Sequence, residues 1–239
     1  MLKIHATTDV GLVRGNNEDY HFVDPENHLI ILADGAGGHD HGEIASRLAV
    51  ESCYQYLTRE DYISDTSNVP QTLMESITFA NQQLIEYKKK HMAGSNMGTT
   101  LSVVHIDNGE ASYAWMGDSR IYLLDPAEVS MSQLSVDHTL YQEMQDRGEV
   151  GEAYKKSILS RMLGNNPFTR PDGDKVAVRS AQLLFVCSDG FSDLVHDNKT
   201  LKSLGDCKGD YDALVATFID LAKDQGGRDN ITVAIGVAP

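Results

Sequence analysis

The chain has 239 residues, 41% of them hydrophobic, and its 20 Lys and Arg against 35 Asp and Glu leave a formal charge of −15. That apolar share is enough for a buried core in one domain spanning 1–239, and the 6 Pro and 20 Gly are scattered rather than clustered, which argues against a disordered or low-complexity chain. The acidic field repels phosphate backbones and anionic lipid, so neither nucleic acid nor membrane is an expected partner.

Leu2, Ile4 and Ala6 alternate with Lys3, His5 and Thr7 at the period of a half-buried strand, and Tyr20 to Val23 reads as a second. Asp24-Pro25-Glu26-Asn27 is turn chemistry. His28 to Ala33 is an almost continuous apolar run, too short for a helix, that is expected to stop at the acidic, glycine-rich corner Asp34-Gly35-Ala36-Gly37-Gly38. Two amphipathic helices follow. Ile44, Leu48, Ala49, Cys53 and Tyr56 share one face between Glu43 and Leu57, and Leu73, Ile77, Ala80, Leu84 and Tyr87 share another.

After Gly98 short strands return, Thr99 to Ile106, Glu110 to Met116 and Arg120 to Leu124, with Asp107-Asn108-Gly109 as a hairpin turn. Leu140 to Leu163 is polar and weakly helical. Lys175 to Arg179, Leu183 to Cys187 and Ile231 to Val237 read as strands, and Tyr211 to Lys223 as a helix. Hairpins without regular strand–helix alternation predict an α+β chain with antiparallel sheets and helices on their outer faces. Three cysteines, Cys53, Cys187 and Cys207, have no metal-ligand spacing and suit a reducing compartment. With no leader-like N-terminus and no run of eighteen apolar residues, a cytoplasmic protein is expected.

The placement of certain aspartates carries the functional signal. Asp34, Asp118 and Asp189 each follow an apolar strand or hairpin arm and touch a glycine, as Ala33-Asp34-Gly35, Gly117-Asp118-Ser119 and Ser188-Asp189-Gly190, while Asp229-Asn230 precedes the last apolar strand. Taken singly, each reads as a turn residue. Together with Asn17-Glu18-Asp19 in an early loop they read as a shared cluster, because several acids at the ends of buried strands repel one another and lose hydration unless something positive sits among them. Hard divalent cations with oxygen ligands meet that need. An EF-hand loop is excluded by its absent spacing.

At these residues the sequence resembles the metal-dependent protein serine/threonine phosphatases called PP2C or PPM, in their compact bacterial form. The resemblance runs through Thr8-Asp9-Val10-Gly11, Arg14-Gly15-Asn16-Asn17-Glu18-Asp19, Ala33-Asp34-Gly35-Ala36-Gly37-Gly38-His39 and Gly42-Glu43-Ile44-Ala45-Ser46. It continues through Gly98-Thr99-Thr100, Gly117-Asp118-Ser119-Arg120, Asp137-His138-Thr139, Ser188-Asp189-Gly190 and Gly227-Arg228-Asp229-Asn230-Ile231-Thr232. It implies an α-β-β-α sandwich of two antiparallel sheets flanked by helices.

It also implies two core ions, Mn²⁺ or Mg²⁺, bridged by Asp34, with Asp189 and Asp229 on one and Glu18 and the Gly35 carbonyl on the other. Asp118, with Asp189, would help hold a weaker third ion, and Asp19 and Asn230 would support the site. Arg14 matches the phosphate-binding arginine; with Asp34 and Asp118 it would form the catalytic set. Phosphorylated proteins, the substrates of a cognate serine/threonine kinase, are the implied partners of a monomeric signalling enzyme. A phosphate monoester dianion repels hydroxide, so paired cations would lower the pKa of a bridging water and neutralise the equatorial oxygens. The Arg14 fork would grip two phosphate oxygens.

Three readings of the function are compatible with these residues: a general phosphoprotein phosphatase, a catalytically silent relative, and a regulator with one dedicated phosphoprotein partner. The filled ligand positions argue against silence. The chain departs from the family pattern at Ala36, where relatives carry Met or His, and in a short stretch between Asp137-His138-Thr139 and Ser160-Arg161-Met162-Leu163-Gly164. Leaving-group protonation then falls to a metal-bound water, to His39, or to no group. His39 and His41 are read as loop residues over a helix N-terminus, and Ser188 as a strand-end hydroxyl rather than a nucleophile. Trp115 and Met116 are read as core, and Tyr54 and Tyr56 as helix packing.

Overall fold

In the computed structural model, which describes residues 2–36, 41–59, 68–149, 158–164 and 170–239, the apolar runs become strands buried on both faces. The first third of the chain supplies β1 (Lys3–Asp9), β2 (Asp19–Asp24), β3 (Leu29–Ala36), α1 (Gly42–Leu57) and α2 (Val69–His91). The middle adds β4 (Gly98–Thr99), β5 (Leu101–Asp107), β6 (Glu110–Met116), β7 (Arg120–Asp125), β8 (Ser130–Gln133) and α3 (Leu140–Asp146). The last third holds β9 (Asp172–Ala177), β10 (Leu183–Cys187), α4 (Asp189–Ser192), α5 (Asp197–Asp206), α6 (Tyr211–Asp224) and β11 (Ile231–Val237).

The strands form two antiparallel sheets. One has the order β1-β11-β10-β7-β8, the other β2-β3-β5-β6-β9 with β4 paired to the end of β3. Strand alternation divides the core into three layers. In β3, Leu29, Ile31 and Ala33 pack under α1 and α2, while Ile30 and Leu32 face the other sheet across Leu184, Val186 and Ala234. The opposite outer layer joins Phe185, Cys187 and Val233 to Phe218 and Leu214 of α6. The result is helices, sheet, sheet, helices.

Most strands and long helices fall where periodicity places them, and the differences have local causes. The strand expected to stop at Asp34 continues through Asp34, Gly35 and Ala36, because β4 pairs Gly35 with Thr99 and Ala36 with Gly98. The corner expected there is therefore a strand, and its remaining residues 37–38 lie outside the described residues. Strand β8 (Ser-Met-Ser-Gln) is an exposed edge without apolar alternation, and α5 buries only Thr200 and Leu204, so neither left a periodic signal. The Asp107-Asn108-Gly109 turn has Asn108 at φ 49° and Gly109 at φ 76°, the left-handed pair a tight hairpin requires. Among the described residues no helix is long and apolar enough to cross a membrane. All three cysteines are free; burial pushes the Cys53 thiol up to about 12 and raises that of Cys187, which leaves both unreactive.

Candidate active site

The alternation that sends Ile30 and Leu32 between the sheets continues to Asp34, placing its side chain at the rim of the inter-sheet layer. Asp19 of β2 stands directly opposite Asp34 in register. From the other sheet, the Ser188 hydroxyl donates to Asp19 Oδ2 at 2.8 Å and the Thr232 hydroxyl at 2.6 Å. Asp19 therefore ties the two sheets together beneath Asp34, and its second oxygen, Oδ1, is buried without a hydrogen-bond partner.

The backbone of Asp34 is held as firmly. Its carbonyl accepts from the Thr99 hydroxyl at 2.8 Å and the Thr100 N–H at 2.9 Å, and its N–H donates to Thr100 Oγ1 at 2.9 Å. Gly98-Thr99-Thr100 thus clamps this one residue, a task that its sequence does not reveal. Gly42 has a role of the same kind. A Cβ there would collide with the Glu18 carboxylate and stand 3.1 Å from the Gly35 carbonyl oxygen, so the Glu18 carboxylate and the Gly35 carbonyl share one pocket floored by Gly42. Gly35 is equally constrained, since a Cβ on it would lie 2.5 Å from the Gly42 oxygen and 2.7 Å from that of Glu18.

Asn230 holds the loop that carries Arg14 and Glu18. Its Oδ1 accepts from the Glu18 N–H at 2.8 Å, and its amide donates to the carbonyls of Val10 at 3.0 Å and Asn16 at 2.9 Å. Beside it, the Arg14 guanidinium donates to Asp229 Oδ2 at 2.7 Å. Asp118 lies on the turn from β6 to β7, where the chain passes between the sheets, and Ser119 next to it bonds Thr100 at 2.8 Å. Asp189, the first residue of the short α4, stands beside Asp34, and each carboxyl acts on the other.

Crowding and burial raise the carboxyls together. Burial pushes Asp19 up to about 7 against the pull of the Thr232 and Ser188 hydroxyls, and Asp189 and Asp229 push the same way. Burial, then Asp189 and Asp137, lift Asp118 to about 8. Burial and Asp229 bring Asp189 to about 6. Asp34 is raised well above its ordinary value by burial and by Asp19, Asp189 and Asp118.

Each of these carboxyls keeps its proton in the folded chain at a pH where the unfolded chain, titrating near 3.8, has lost it. Metal-free stability therefore falls as pH rises through the folded values. Half-buried His21 and buried His105 and His138, all lowered by desolvation, act with the opposite sign below 6.5, so the unmixed window is pH 7 to 8.5. In chelator, Tm is expected to drop across that window by on the order of 5 °C, about 2 kcal/mol, and Asp118→Asn should reduce the slope. A calorimetric Tm that stays flat from pH 7 to 8.5 contradicts this charge picture.

Among the described residues no three His, Cys, Asp or Glu side chains stand in a ready-made metal-ligand grouping. The donors nevertheless suit a hard cation. They are oxygens throughout, one Asp19 oxygen is buried and unpaired, and Gly35 and Gly42 leave no room for a Cβ beside Glu18.

Of the residues singled out in the sequence, the structure brings Asp34, Asp118, Asp189, Asp229, Glu18, Gly35, Asp19, Asn230 and Arg14 to one end of the sandwich. His41 is an exposed left-handed residue preceding α1, 3.9 Å from Glu43, as a loop residue would be. His39 lies outside the described residues. Ser188 is the inward hydroxyl on Asp19, which strand parity after Leu184 and Val186 could have placed.

The family model for protein phosphatase 2C matches residues 14–231. The protein phosphatase PhpP of Streptococcus pneumoniae is 34% identical over 247 residues, covering 98% of this chain and 96% of the relative. The Streptococcus agalactiae serine/threonine phosphatase structure superposes with a TM-score of 0.88 at 29% identity over 100% of both chains. The catalytic domain of the phosphatase PstP in complex with two manganese ions gives 0.85 at 29% identity, covering 99% of this chain and 97% of that one. The chain belongs to the protein phosphatase 2C family, and it is a serine/threonine protein phosphatase by that membership.

Proposed function

We propose that the chain hydrolyses phosphoserine and phosphothreonine in phosphorylated proteins at a dinuclear Mn²⁺ or Mg²⁺ site bridged by Asp34. The observation that carries this reading is the cluster of Asp19, Asp34, Asp118 and Asp189, whose pKa values are raised by burial and by neighbouring carboxylates, with Arg14 as the cation beside it. The two manganese ions of PstP support the same assignment. Asp189 and Asp229 would complete one core site, and Glu18 with the Gly35 carbonyl the other; Asp118 and Asp189 would take a weaker third ion.

When bound, the ions would supply a bridging water acidic enough for in-line attack, together with positive charge against the phosphoryl oxygens. The chain's own groups do the rest. Arg14, now on Asp229, presents a fork suited to two phosphate oxygens once that carboxylate is otherwise neutralised. Asn230 fixes the loop from which Arg14 and Glu18 project, so their separation is set before substrate arrives. Thr99 and Thr100 hold Asp34, and Asp19 braces it from below.

The reading is tested with p-nitrophenyl phosphate and a phosphothreonine peptide, each with and without Mn²⁺. Mn²⁺-dependent release of phosphate from both is expected. A folded protein that binds phosphopeptide without turnover would instead be a silent relative. Asp118→Asn is expected to keep tight binding of two ions while lowering kcat and raising the Mn²⁺ concentration for half activity. Calorimetry showing loss of all Mn²⁺ binding in Asp118→Asn would contradict its place on the weak site.

A further inference from the structure

Two motifs that the phosphatase reading leaves without a task, Asp137-His138-Thr139 and Ser160-Arg161-Met162-Leu163-Gly164, meet in the structure. Thr139 and Leu159 form an antiparallel bridge; the Ser160 N–H donates to the His138 carbonyl at 2.9 Å and the Leu140 N–H to the Ile158 carbonyl at 2.9 Å. The His138 side chain, 1% exposed, turns the other way. Its Nδ1 accepts from the Gly117 N–H at 3.1 Å, while the His138 backbone N–H donates to the Gly117 carbonyl at 3.0 Å. Gly117 immediately precedes Asp118 and sits at φ 117°, where a Cβ would stand 2.5 Å from Thr100.

Because Nδ1 accepts, the ring proton is on Nε2, which faces Asp172 Oδ2 at 3.1 Å. Asp172 Oδ2 also accepts from Arg161 Nη2 at 3.2 Å, and Arg161 Nη1 donates to the Arg170 carbonyl at 3.3 Å. Trp115 stacks on the imidazole with ring centroids 5.8 Å apart and 19° between planes, and its indole N–H donates to the Val136 carbonyl at 2.9 Å. Burial and the Arg161 charge bring the imidazole to about 4, so it stays neutral and keeps its lone pair on Gly117 at neutral pH.

We infer that His138, Asp172 and Arg161 form a positioning relay that sets the Gly117-Asp118 turn from the 158–161 segment. Arg161 fixes Asp172, Asp172 fixes the tautomer and tilt of the ring, and the ring holds the amide one residue before Asp118. The relay touches no substrate. Its consequence for turnover rests on the reading of Asp118 as a ligand of the weak ion; its geometry does not.

The test uses amide hydrogen exchange by NMR on the full chain, followed by Mn²⁺ activation with p-nitrophenyl phosphate. His138→Gln keeps a donor toward Asp172 and removes the acceptor for Gly117; it should speed Gly117 exchange at least tenfold, while the β5 and β6 amides of Val103 and Ala114 stay at wild-type rates. His138→Asn places an oxygen near the Nδ1 position and should restore Gly117 protection to within about threefold. Asp172→Asn, at the start of the edge strand β9, is the variant least exposed to folding failure and should speed Gly117 exchange severalfold.

His138→Gln and Asp172→Asn should also raise the half-activating Mn²⁺ concentration severalfold, with KM at saturating Mn²⁺ unchanged. Wild-type Gly117 protection in both of these variants overturns the relay, as does a KM change without a shift in Mn²⁺ dependence. Uniformly faster exchange at Val103 and Ala114 in Asp172→Asn assigns the three residues to general stability and also overturns it. A wild-type protein inactive with Mn²⁺ sinks the phosphatase reading, and the Gly117 measurement still decides the relay.

Discussion

Replacing Asp34 by Ala is expected to lower kcat by at least about 10²–10³-fold, the scale of one preorganised electrostatic group, while leaving the metal-free protein as stable as wild type or more so. Two features of its setting lead to these opposite effects. Asp34 lies within a paired strand, opposite Asp19 and beside Asp189 and Asp118, so the charges that act on it are negative. Removing it relieves that repulsion in the absence of a cation and deletes the proposed bridging ligand in its presence. Its backbone bonds to Thr99 and Thr100 survive the substitution. A metal-free Asp34→Ala protein with a markedly lower Tm than metal-free wild type would show that the carboxylate is a structural brace.

Chelation carries the second large effect. Excess EDTA should reduce phosphatase activity to background, and Mn²⁺ or Mg²⁺ added beyond the chelator should restore it. Without cations, Arg14 is the positive group in contact with Asp229, and the phosphate of a substrate would meet a cluster of carboxyls. Two divalent ions reverse that local sign, which the overall charge of −15 otherwise sets against any phosphate. Full activity in excess chelator contradicts the account. Metal should also raise Tm most at pH 8.5, where the metal-free carboxyls repel most strongly.

The site was legible in the sequence to the extent that acid and glycine stand together at the ends of apolar runs. Asp34, Asp118 and Asp189 have that signature, and the strand parity of Ile30 and Leu32 carries Asp34 into the inter-sheet rim. What supports them was not legible, because hydroxyls and glycines have no period of their own. Thr99, Thr100, Ser188 and Thr232 act through contacts between residues 44 to 213 positions apart. The same holds for Gly42, whose missing side chain matters only because Glu18 and Gly35 come to rest against it. In the fold, the elements without a sequence signal are those that bury least: β8 is an exposed edge, and α5 buries only Thr200 and Leu204. The end of β3 departs from its sequence expectation for a different reason. Asp-Gly is turn chemistry in isolation, and only pairing with the two-residue β4 keeps it extended.

The central claim is that Asp34 joins two cations. It is tested most directly by X-ray diffraction from Mn²⁺-soaked crystals, recorded on both sides of the manganese absorption edge. Two anomalous peaks are expected, both within ligand distance of the Asp34 carboxylate, one also reached by Asp189 and Asp229 and the other by Glu18 and the Gly35 carbonyl. Peaks that leave Asp34 without a metal contact, in crystals of protein that is active with Mn²⁺, would contradict it.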